Sequence, residues 1–141
     1  MPYFIAPFIG WLASGCLKFF IHYLKYGGEA TKHMGNGGFP STHTATASSV
    51  IFLIGLGEGW LSPIFGLGVG FLFIVIIDAT GLRIAVGKQA AAVNRMHTNN
   101  KDYEPLRERM GHTLIEILGG LAVGLIVSII LSFVFNWLGW M

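Results

Sequence analysis

The side chains best suited to chemistry in this sequence are two histidines, one of which has a carboxylate at helical spacing. His112 and Glu116 are four residues apart, so on a helix they lie one turn apart on the same face. The carboxylate can then hold the imidazole and stabilise its protonated or phosphorylated form. Glu116 is flanked by apolar residues, and an unpaired charge in a membrane segment is costly. We therefore expect Glu116 to pair with His112.

The second histidine, His43, follows a segment that predicts a turn into a helix. Residues 37–44 read Gly-Gly-Phe-Pro-Ser-Thr-His-Thr. The glycines permit a turn, the proline keeps the incoming chain out of a helix, and Ser41 or Thr42 can cap the helix that follows. The N-terminus of a helix binds phosphate through its free N–H groups. A capped turn alone does not require a histidine, so His43 favours a phosphate site.

A third polar segment, residues 78–88, contains Asp78, Arg83 and Lys88. On an ideal helix Asp78 and Arg83 are about 140° apart, so they can pair only if Gly81 interrupts or bends the helix. Contact of the two cations with anionic lipid head groups is an alternative to a phosphate site. We favour the phosphate site because two histidines are expected at the same depth.

The composition indicates that a membrane bundle positions these residues. Of 141 residues, 53% are apolar and 11% are charged, which is too apolar for an ordinary soluble domain. Four apolar stretches are each near the length of about 17–25 residues that spans a bilayer core; they are residues 3–24, 41–57, 61–77 and 113–138. The sequence predicts an all-α integral membrane protein, a compact bundle of about four transmembrane helices in one domain, 1–141. A fifth, short interfacial helix is an alternative.

The charges predict the orientation of this bundle. All nine Lys and Arg residues fall in two windows, 18–32 and 83–109. With four spans both windows lie on one side, which the positive-inside rule places in the cytoplasm. Trp60, Trp137 and Trp140 fall on the opposite side, where indole rings favour the interface. We expect a multi-pass protein of the cell (inner) membrane, with both termini outside and the site on the cytoplasmic side.

Two further patterns concern packing and loops. Gly66/Gly70 and Gly120/Gly124 are spaced by four residues, which favours close approach of helix backbones. We expect this packing within one chain, and a homo-oligomer remains open. Residues 89–110 are the only long polar segment, and they predict a loop, with the third helix continuing to about residue 95.

Four helix ends are expected to meet in one polar cluster. Lys18, His22 and Lys25 form a stripe near the basic end of the first helix. The two histidines described above and residues 78–88 lie at the same end of the other helices. Ionisable groups in membrane segments usually face the bundle interior or a cavity, so each is a candidate functional residue.

These residues resemble the motifs of a known family. Residues 37–43, 78–90, Asn94 and the Gly-His-Thr-x-x-Glu of 111–116 are together similar to the small divergent branch of the type-2 phosphatidic acid phosphatase and vanadium haloperoxidase superfamily. The similarity extends from about residue 12 to 125, nearly the whole chain.

That superfamily has three motifs, Lys-x6-Arg-Pro, Pro-Ser-Gly-His and Ser-Arg-x5-His-x3-Asp. Pro40-Ser41-Thr42-His43 matches the second except for threonine in place of glycine. The end of the third is matched by His112-x3-Glu116, with glutamate in place of aspartate.

The cationic positions depart from those motifs. Lys18-x6-Lys25 has the spacing of the first motif, but lysine and tyrosine replace arginine and proline. The arginine of the third motif would stand at position 106, which is leucine, and Arg107 is one place closer to the histidine. Lysine cannot bind phosphate bidentately as arginine does. We expect Arg83 and Lys88 to supply the missing cations.

The resemblance implies a role for each matched residue. His112 attacks phosphorus and forms a phosphohistidine, Glu116 orients it, and His43 protonates the leaving oxygen. The expected phosphate ligands are Lys18, Lys25, Ser41, Arg83 and Lys88. The residues expected to support the site are Asp78, Asn94 and Thr42.

The leading hypothesis is a metal-independent lipid phosphate phosphatase at the cytoplasmic face, without a cofactor and without a nucleic-acid partner. Phosphatidylglycerophosphate is the preferred substrate because it is made on that side; phosphatidate and isoprenyl pyrophosphates are alternatives. A different possibility is a binding or transport protein that holds anionic lipid without turnover. A metal-dependent phosphotransferase would use Asp78 and Glu116 as ligands, but the paired Asp-x-x-Asp spacing expected of a magnesium site is absent.

Overall fold

The computed structural model describes residues 1–29, 38–98 and 102–140, and these residues form helices, turns and loops with no strand. The α-helices are α1 (Ala6–Tyr26), α2 (Thr42–Glu58), α3 (Pro63–Ile77), α4 (Arg83–Met96) and α5 (Leu114–Trp137). A π-helical turn, Asp78–Leu82, joins α3 to α4, and 3-10 turns flank α1 at Tyr3–Ile5 and Gly27–Glu29. Gly37, Lys32 and residues 99–101 of the predicted loop lie outside the described residues.

The predicted class, a helical membrane bundle, is confirmed. Three helical stretches in the described ranges are long and apolar enough to cross a membrane: Tyr3–Tyr26, Pro63–Met96 and Leu114–Trp137. The fourth helix of the bundle, α2, has 17 residues. Its length of about 25 Å follows from a rise of 1.5 Å per residue. It packs against α1, α3 and α5.

The central helix α2 is built from small residues, which explains how three neighbours pack around it. Its buried positions include Ala45, Ala47, Ser48 and Ser49. Small side chains let helix backbones approach closely, and hydroxyls can then bond to carbonyls of the adjacent helix. The Ser49 hydroxyl donates to the Ala6 carbonyl at 3.0 Å. These contacts satisfy polar groups that lie away from water.

The glycine pair on α5 packs as expected, whereas the pair on α3 does not. A Cβ at Gly120 or Gly124 would collide with α2, so these glycines permit the close approach of α5. At Gly66 and Gly70 the space is open, and the expectation of close packing there is wrong. Helix α3 contacts Ile51 of α2 through a different glycine, Gly68. Gly68 is two residues from both Gly66 and Gly70, which corresponds to about 200° around the helix.

The stretch from α3 through α4 is one continuous helix with two environments. The predicted continuation to about residue 95 is confirmed, since α4 ends at Met96. Most of the apolar half lies on the surface of the bundle, with Leu67 75% and Ile74 64% exposed. Apolar surface of this extent is unfavourable in water and is solvated by a bilayer. The more polar α4 then extends from the apolar half toward the polar loop.

Candidate functional site

One pocket, with a volume of about 180 Å³, collects side chains from all the helix ends that the sequence placed at the basic side. The pocket is lined by Lys18, Thr42, His43, Arg83, Arg107, Met110, Gly111 and His112. The structure therefore brings together the two histidines and two of the predicted cations. It adds an arginine, Arg107, that was not among the predicted ligands.

His112 and Glu116 form the expected pair. The Nδ1 atom of His112 lies 2.9 Å from Oε2 of Glu116, and these side chains are 8% and 14% exposed. An ionised carboxylate has no proton to donate, so Nδ1 carries the hydrogen of this bond. In the neutral ring the lone pair is then on Nε2, which is the atom available to react.

The position of His112 relative to the helix differs from the prediction. Helix α5 begins at Leu114 and has Thr113 as its N-cap, so His112 precedes the helix instead of lying on its first turn. Thr113 and Glu116 form a reciprocal capping box, in which the Thr113 N–H donates to Glu116 Oε2 at 3.0 Å. The Thr-x-x-Glu pattern is a sequence signature of this cap, and it places the first helical residue two positions after His112.

The backbone before His112 is fixed by a turn and by a contact with the π-helical turn. Gly111 has φ +88°, a conformation that residues with a side chain rarely adopt. The His112 N–H donates to the Ala79 carbonyl at 2.9 Å. The chain just before α5 is thereby held against the π-helical turn, and this contact fixes how far along the bundle axis the imidazole of His112 lies.

His43 faces His112 across the pocket. The two ring centroids are 6.4 Å apart, with the planes tilted by 58°. Helix α2 begins as predicted, with Ser41 as N-cap, and the Ser41 hydroxyl accepts from the Thr44 N–H at 3.4 Å. The Ser41 N–H donates to the Glu116 carbonyl at 2.8 Å. This bond connects the start of α2 to the first turn of α5, so it fixes the positions of His43 and His112 relative to each other.

Asp78 and Arg83 pair through the π-helical turn. The Arg83 N–H donates to the Asp78 carbonyl, and the Arg83 Nε donates to Asp78 Oδ2 at 2.6 Å. An i to i+5 hydrogen bond is the defining contact of a π-helix, and it brings residues five apart to one side. The condition stated for this pair, an interruption of ideal α-geometry around Gly81, is therefore met without a break in the helix.

Arg107 is placed by a loop that Asn94 holds against α4. The side chain of Asn94 makes four hydrogen bonds of 2.8 Å, two of them to the backbone of Leu106 and the others to Tyr103 and Glu108. A Cβ at Gly87 would collide with the Glu108 carbonyl, so the loop lies directly on the helix backbone. We call residues 103–110 the arginine loop. The sequence signal for this loop is Arg107 itself, which stands one residue after position 106, where the third motif of the family has its arginine.

Three of the predicted phosphate ligands lie elsewhere. Lys25 and Lys88 are exposed and do not line the pocket; the Lys25 ammonium lies 5.3 Å from the centre of the Tyr26 ring. Ser41 is fully buried and its hydroxyl serves as the helix cap. Lys25 is on the same face of α1 as Lys18 but about 10 Å further along the helix axis, beyond the pocket. Lys88 is about 140° around α4 from Arg83. The hydroxyl of Ser41 is required as the cap of α2.

The supporting residues behave differently from one another. Thr42 lines the pocket, Asn94 organises the arginine loop, and Asp78 holds Arg83. Across residues 1–29, 38–98 and 102–140, no group of three or more His, Cys, Asp or Glu side chains is placed to hold a metal ion. The two acids considered as metal ligands are instead bonded to Arg83 and to His112.

Fold and pocket together define a class: a helical membrane protein with a two-histidine, cation-lined pocket at one end of its bundle. The sequence pattern of the Divergent PAP2 family matches residues 1–127. The chain belongs to this family, which confirms the resemblance drawn from its motifs.

A curated relative and the solved structures complete the comparison. The chain is 30% identical over 115 residues to an uncharacterized membrane protein, YuiD, of Bacillus subtilis (strain 168); the alignment covers 70% of this chain and 73% of that protein. The search of solved structures gives no match.

Proposed function

We propose that this protein is a membrane-embedded phosphatase that hydrolyses the phosphomonoester of a lipid through a phosphohistidine at His112. The observation that carries the proposal is the facing pair of rings, His43 and His112, 6.4 Å apart in a pocket lined by three cations. A phosphoryl group between the rings must make a contact of about 3 Å to a nitrogen of each ring, and the distance between the ring centroids is of the size that such a bridging group requires. A phosphoryl group between the rings is therefore within reach of both.

In the first half of the reaction Nε2 of His112 attacks phosphorus. The N–P bond forms as the P–O bond to the lipid alcohol breaks, and the leaving oxygen takes a proton from His43. Glu116 accepts the Nδ1–H bond and stabilises the positive charge that the imidazole acquires. In the second half a water attacks phosphorus and His43 accepts its proton. The N–P bond breaks, its electron pair returns to Nε2 of His112, and inorganic phosphate leaves.

The cations stabilise the charge on the equatorial oxygens, which is most of what phosphoryl transfer requires of a protein. Lys18, Arg83 and Arg107 line the pocket and take this role in our proposal. Arg83 arrives with a carboxylate partner, Asp78, which orients the guanidinium. This set replaces the earlier expectation of Lys25 and Lys88.

The lipid substrate follows from the place of the pocket at one end of a membrane bundle. With the pocket on the cytoplasmic side, phosphatidylglycerophosphate is our first choice of substrate. Phosphatidate and isoprenyl pyrophosphates are the alternative substrates to be tested beside it. The purified protein is supplied with each lipid in excess chelator, and phosphate release is measured. We expect release from at least one of them and inhibition by vanadate, which mimics pentacoordinate phosphorus.

The decisive variant is His112→Asn. The asparagine amide can reproduce the Nδ1 contact with Glu116 but offers no equivalent of Nε2, so the fold is retained and the nucleophile is lost. We expect phosphate release to fall by about 10³-fold or more. His97→Phe is the control, because His97 does not line the pocket and an aromatic replacement keeps the stacking of its ring on Tyr103 of the arginine loop.

Two results would contradict the proposal. Full activity of His112→Asn removes the nucleophile assignment. Lipid binding by the wild-type protein that survives substitution of both histidines, with no phosphate released, indicates a binding or transport protein instead.

A further inference from the structure

A second cavity adjoins the two-histidine pocket and has a different chemistry. It has a volume of about 330 Å³ and shares two lining residues with the pocket, Thr42 and His43. Its remaining walls come from Trp11, Thr46, Ala47, Phe71 and Val75. The polar pocket and this second cavity, which we call the side groove, therefore meet at the first turn of α2.

The walls of the side groove are apolar apart from the shared end. The Thr46 hydroxyl donates to the Thr42 carbonyl at 2.8 Å, so its hydrogen is already used within the helix. Ala47 and Val75 contribute aliphatic surface, and Trp11 and Phe71 are 61% and 59% exposed. The side groove thus opens between α1 and α3 toward the surface that the bilayer covers.

The side groove is short. Along α2 it extends from Thr42 to Ala47, and along α3 from Phe71 to Val75. Four to five residues correspond to about 6–8 Å of helix. A hydrocarbon chain entering from the pocket would leave the walls after a few methylene groups and continue in the bilayer.

From this continuity we infer that the side groove holds the first methylene groups of one hydrocarbon chain of the lipid whose phosphate occupies the two-histidine pocket. The inference rests on the proposed function and adds the chain-binding part of the substrate site. A lipid chain in a bilayer is already out of water, so the groove gains little from the hydrophobic effect. Its contribution is orientation, which holds the phosphate at the attack distance.

This role makes a specific demand on the substrate. The chain must start within a few bonds of the phosphate, as in phosphatidate, and its length beyond the first few carbons has no wall to contact. Phosphate release should therefore rise from a chain-free phosphomonoester, glycerol phosphate, to a hexanoyl lipid phosphate and then stay level for longer acyl chains.

In phosphatidylglycerophosphate a glycerol and a phosphodiester separate the terminal phosphate from the acyl chains, so the groove favours phosphatidate among the three lipids. Hydrolysis of phosphatidylglycerophosphate but not of phosphatidate would overturn the groove while leaving the phosphatase proposal intact.

The test fills the groove from the wall that carries no proposed catalytic residue. Val75→Phe is expected to lower kcat/KM for a long-chain lipid phosphate at least tenfold and to leave glycerol phosphate hydrolysis unchanged. Thr46→Leu, from the opposite wall, should repeat the result. Ile129→Phe is the matched control, because Ile129 lines a separate cavity with Leu56 and Phe133. This substitution should change the hydrolysis of neither substrate.

A binding measurement separates this inference from the failure of the enzyme assignment. A lipid phosphate with a diazirine near the start of its acyl chain is photolysed with the wild-type protein, and the labelled peptides are identified by mass spectrometry. Labelling concentrated at residues 71–75 and 46–47 supports the groove even if no phosphate is released, in which case only the phosphatase proposal fails. Labelling spread over all lipid-facing helices would overturn the inference that the groove binds the chain. An equal fall in the hydrolysis of both substrates by Val75→Phe would overturn it too.

Discussion

Two of the residues at the pocket, His112 and Arg83, have a defined contact that limits what they can do. His112 is held by Glu116 through one nitrogen, which leaves the other free for phosphorus. Arg83 is held by Asp78. Lys18 lines the same pocket from α1, and an ammonium on a flexible stem acts as a point charge that needs no fixed geometry. Position at the pocket wall, rather than charge alone, distinguishes these cations from other basic residues nearby.

Lys18 and Lys25 provide a direct test of that distinction. Both lie on α1, but only Lys18 lines the pocket. Lys18→Gln removes a charge-assisted hydrogen bond worth about 1.5–3 kcal/mol, so KM for the lipid phosphate should rise by about 10- to 100-fold. Lys25→Gln should change KM by less than about twofold, because exposed charges are screened by salt. The measurement is phosphate release against substrate concentration at constant ionic strength.

Equal effects of the two lysine substitutions would contradict the assignment. That result would mean that α1 contributes a general positive field at the membrane surface. The phosphate would then be held by the arginines alone.

At the scale of the elements, two connections deliver arginine to the pocket. The π-helical turn places Arg83 beside Asp78, and the arginine loop places Arg107 through its contacts with Asn94. Both connections involve α4, which carries Arg83 at its start and Asn94 near its end. Helix α4 is therefore a scaffold for the cationic half of the site, although it contributes none of the proposed acid–base groups.

The contact between α4 and the arginine loop can be tested at a glycine. A Cβ at Gly87 would collide with the Glu108 carbonyl, whereas the space at Gly81 is open. Gly87→Ala should push the loop away from α4, lower the stability by about 1–3 kcal/mol and reduce phosphate release. Gly81→Ala should raise stability by about 0.5–1 kcal/mol, because alanine loses less backbone entropy in a helix. Thermal unfolding in detergent micelles measures both.

The second readout for this pair is phosphate release. If Gly87→Ala keeps full activity while its thermal stability falls, Arg107 is not required in its observed place. Loss of activity in Gly81→Ala would instead indicate that the glycine itself has a role in the π-helical turn.

At the scale of the whole molecule, small residues hold the bundle together. Ser128 on α5 donates to the Ser49 carbonyl of α2 at 2.6 Å, and α5 approaches α2 closely at Gly120 and Gly124. Large apolar side chains such as Phe133 point outward instead. In a bilayer, packing and hydrogen bonds between helices replace the hydrophobic effect as the force between spans.

This packing predicts that the same substitution has unequal effects on stability at two helical glycines. Gly124→Val should separate α5 from α2, because the new side chain meets Ser48, and should lower the stability by about 1–3 kcal/mol. Gly70→Val should be nearly neutral, since Gly70 has open space around it. Unfolding in mixed micelles of increasing SDS fraction compares them. A large loss at Gly70 would show that this surface is covered in the assembled protein.

The sequence was sufficient for the features that depend on local or periodic signals. Runs of apolar residues identified the helices to within a few residues, because a bilayer imposes a length and a composition. The cap at Ser41 and the pairing of His112 with Glu116 follow from contacts within four residues. Motif order was enough to indicate the Divergent PAP2 family, which the match over residues 1–127 confirms.

Only the tertiary structure decided which distant side chains share the pocket. Lys18 and Lys25 have equal charge and lie on the same face of α1, but only Lys18 is at the depth where the other helices complete the pocket. The pairing of Asp78 with Arg83 depends on a π-helical turn, and the place of Arg107 depends on the contacts of Asn94 with a loop that is distant in sequence. Packing between helices sets which residues lie at the same depth and where the arginine loop is held, and that packing depends on contacts between residues far apart in the chain.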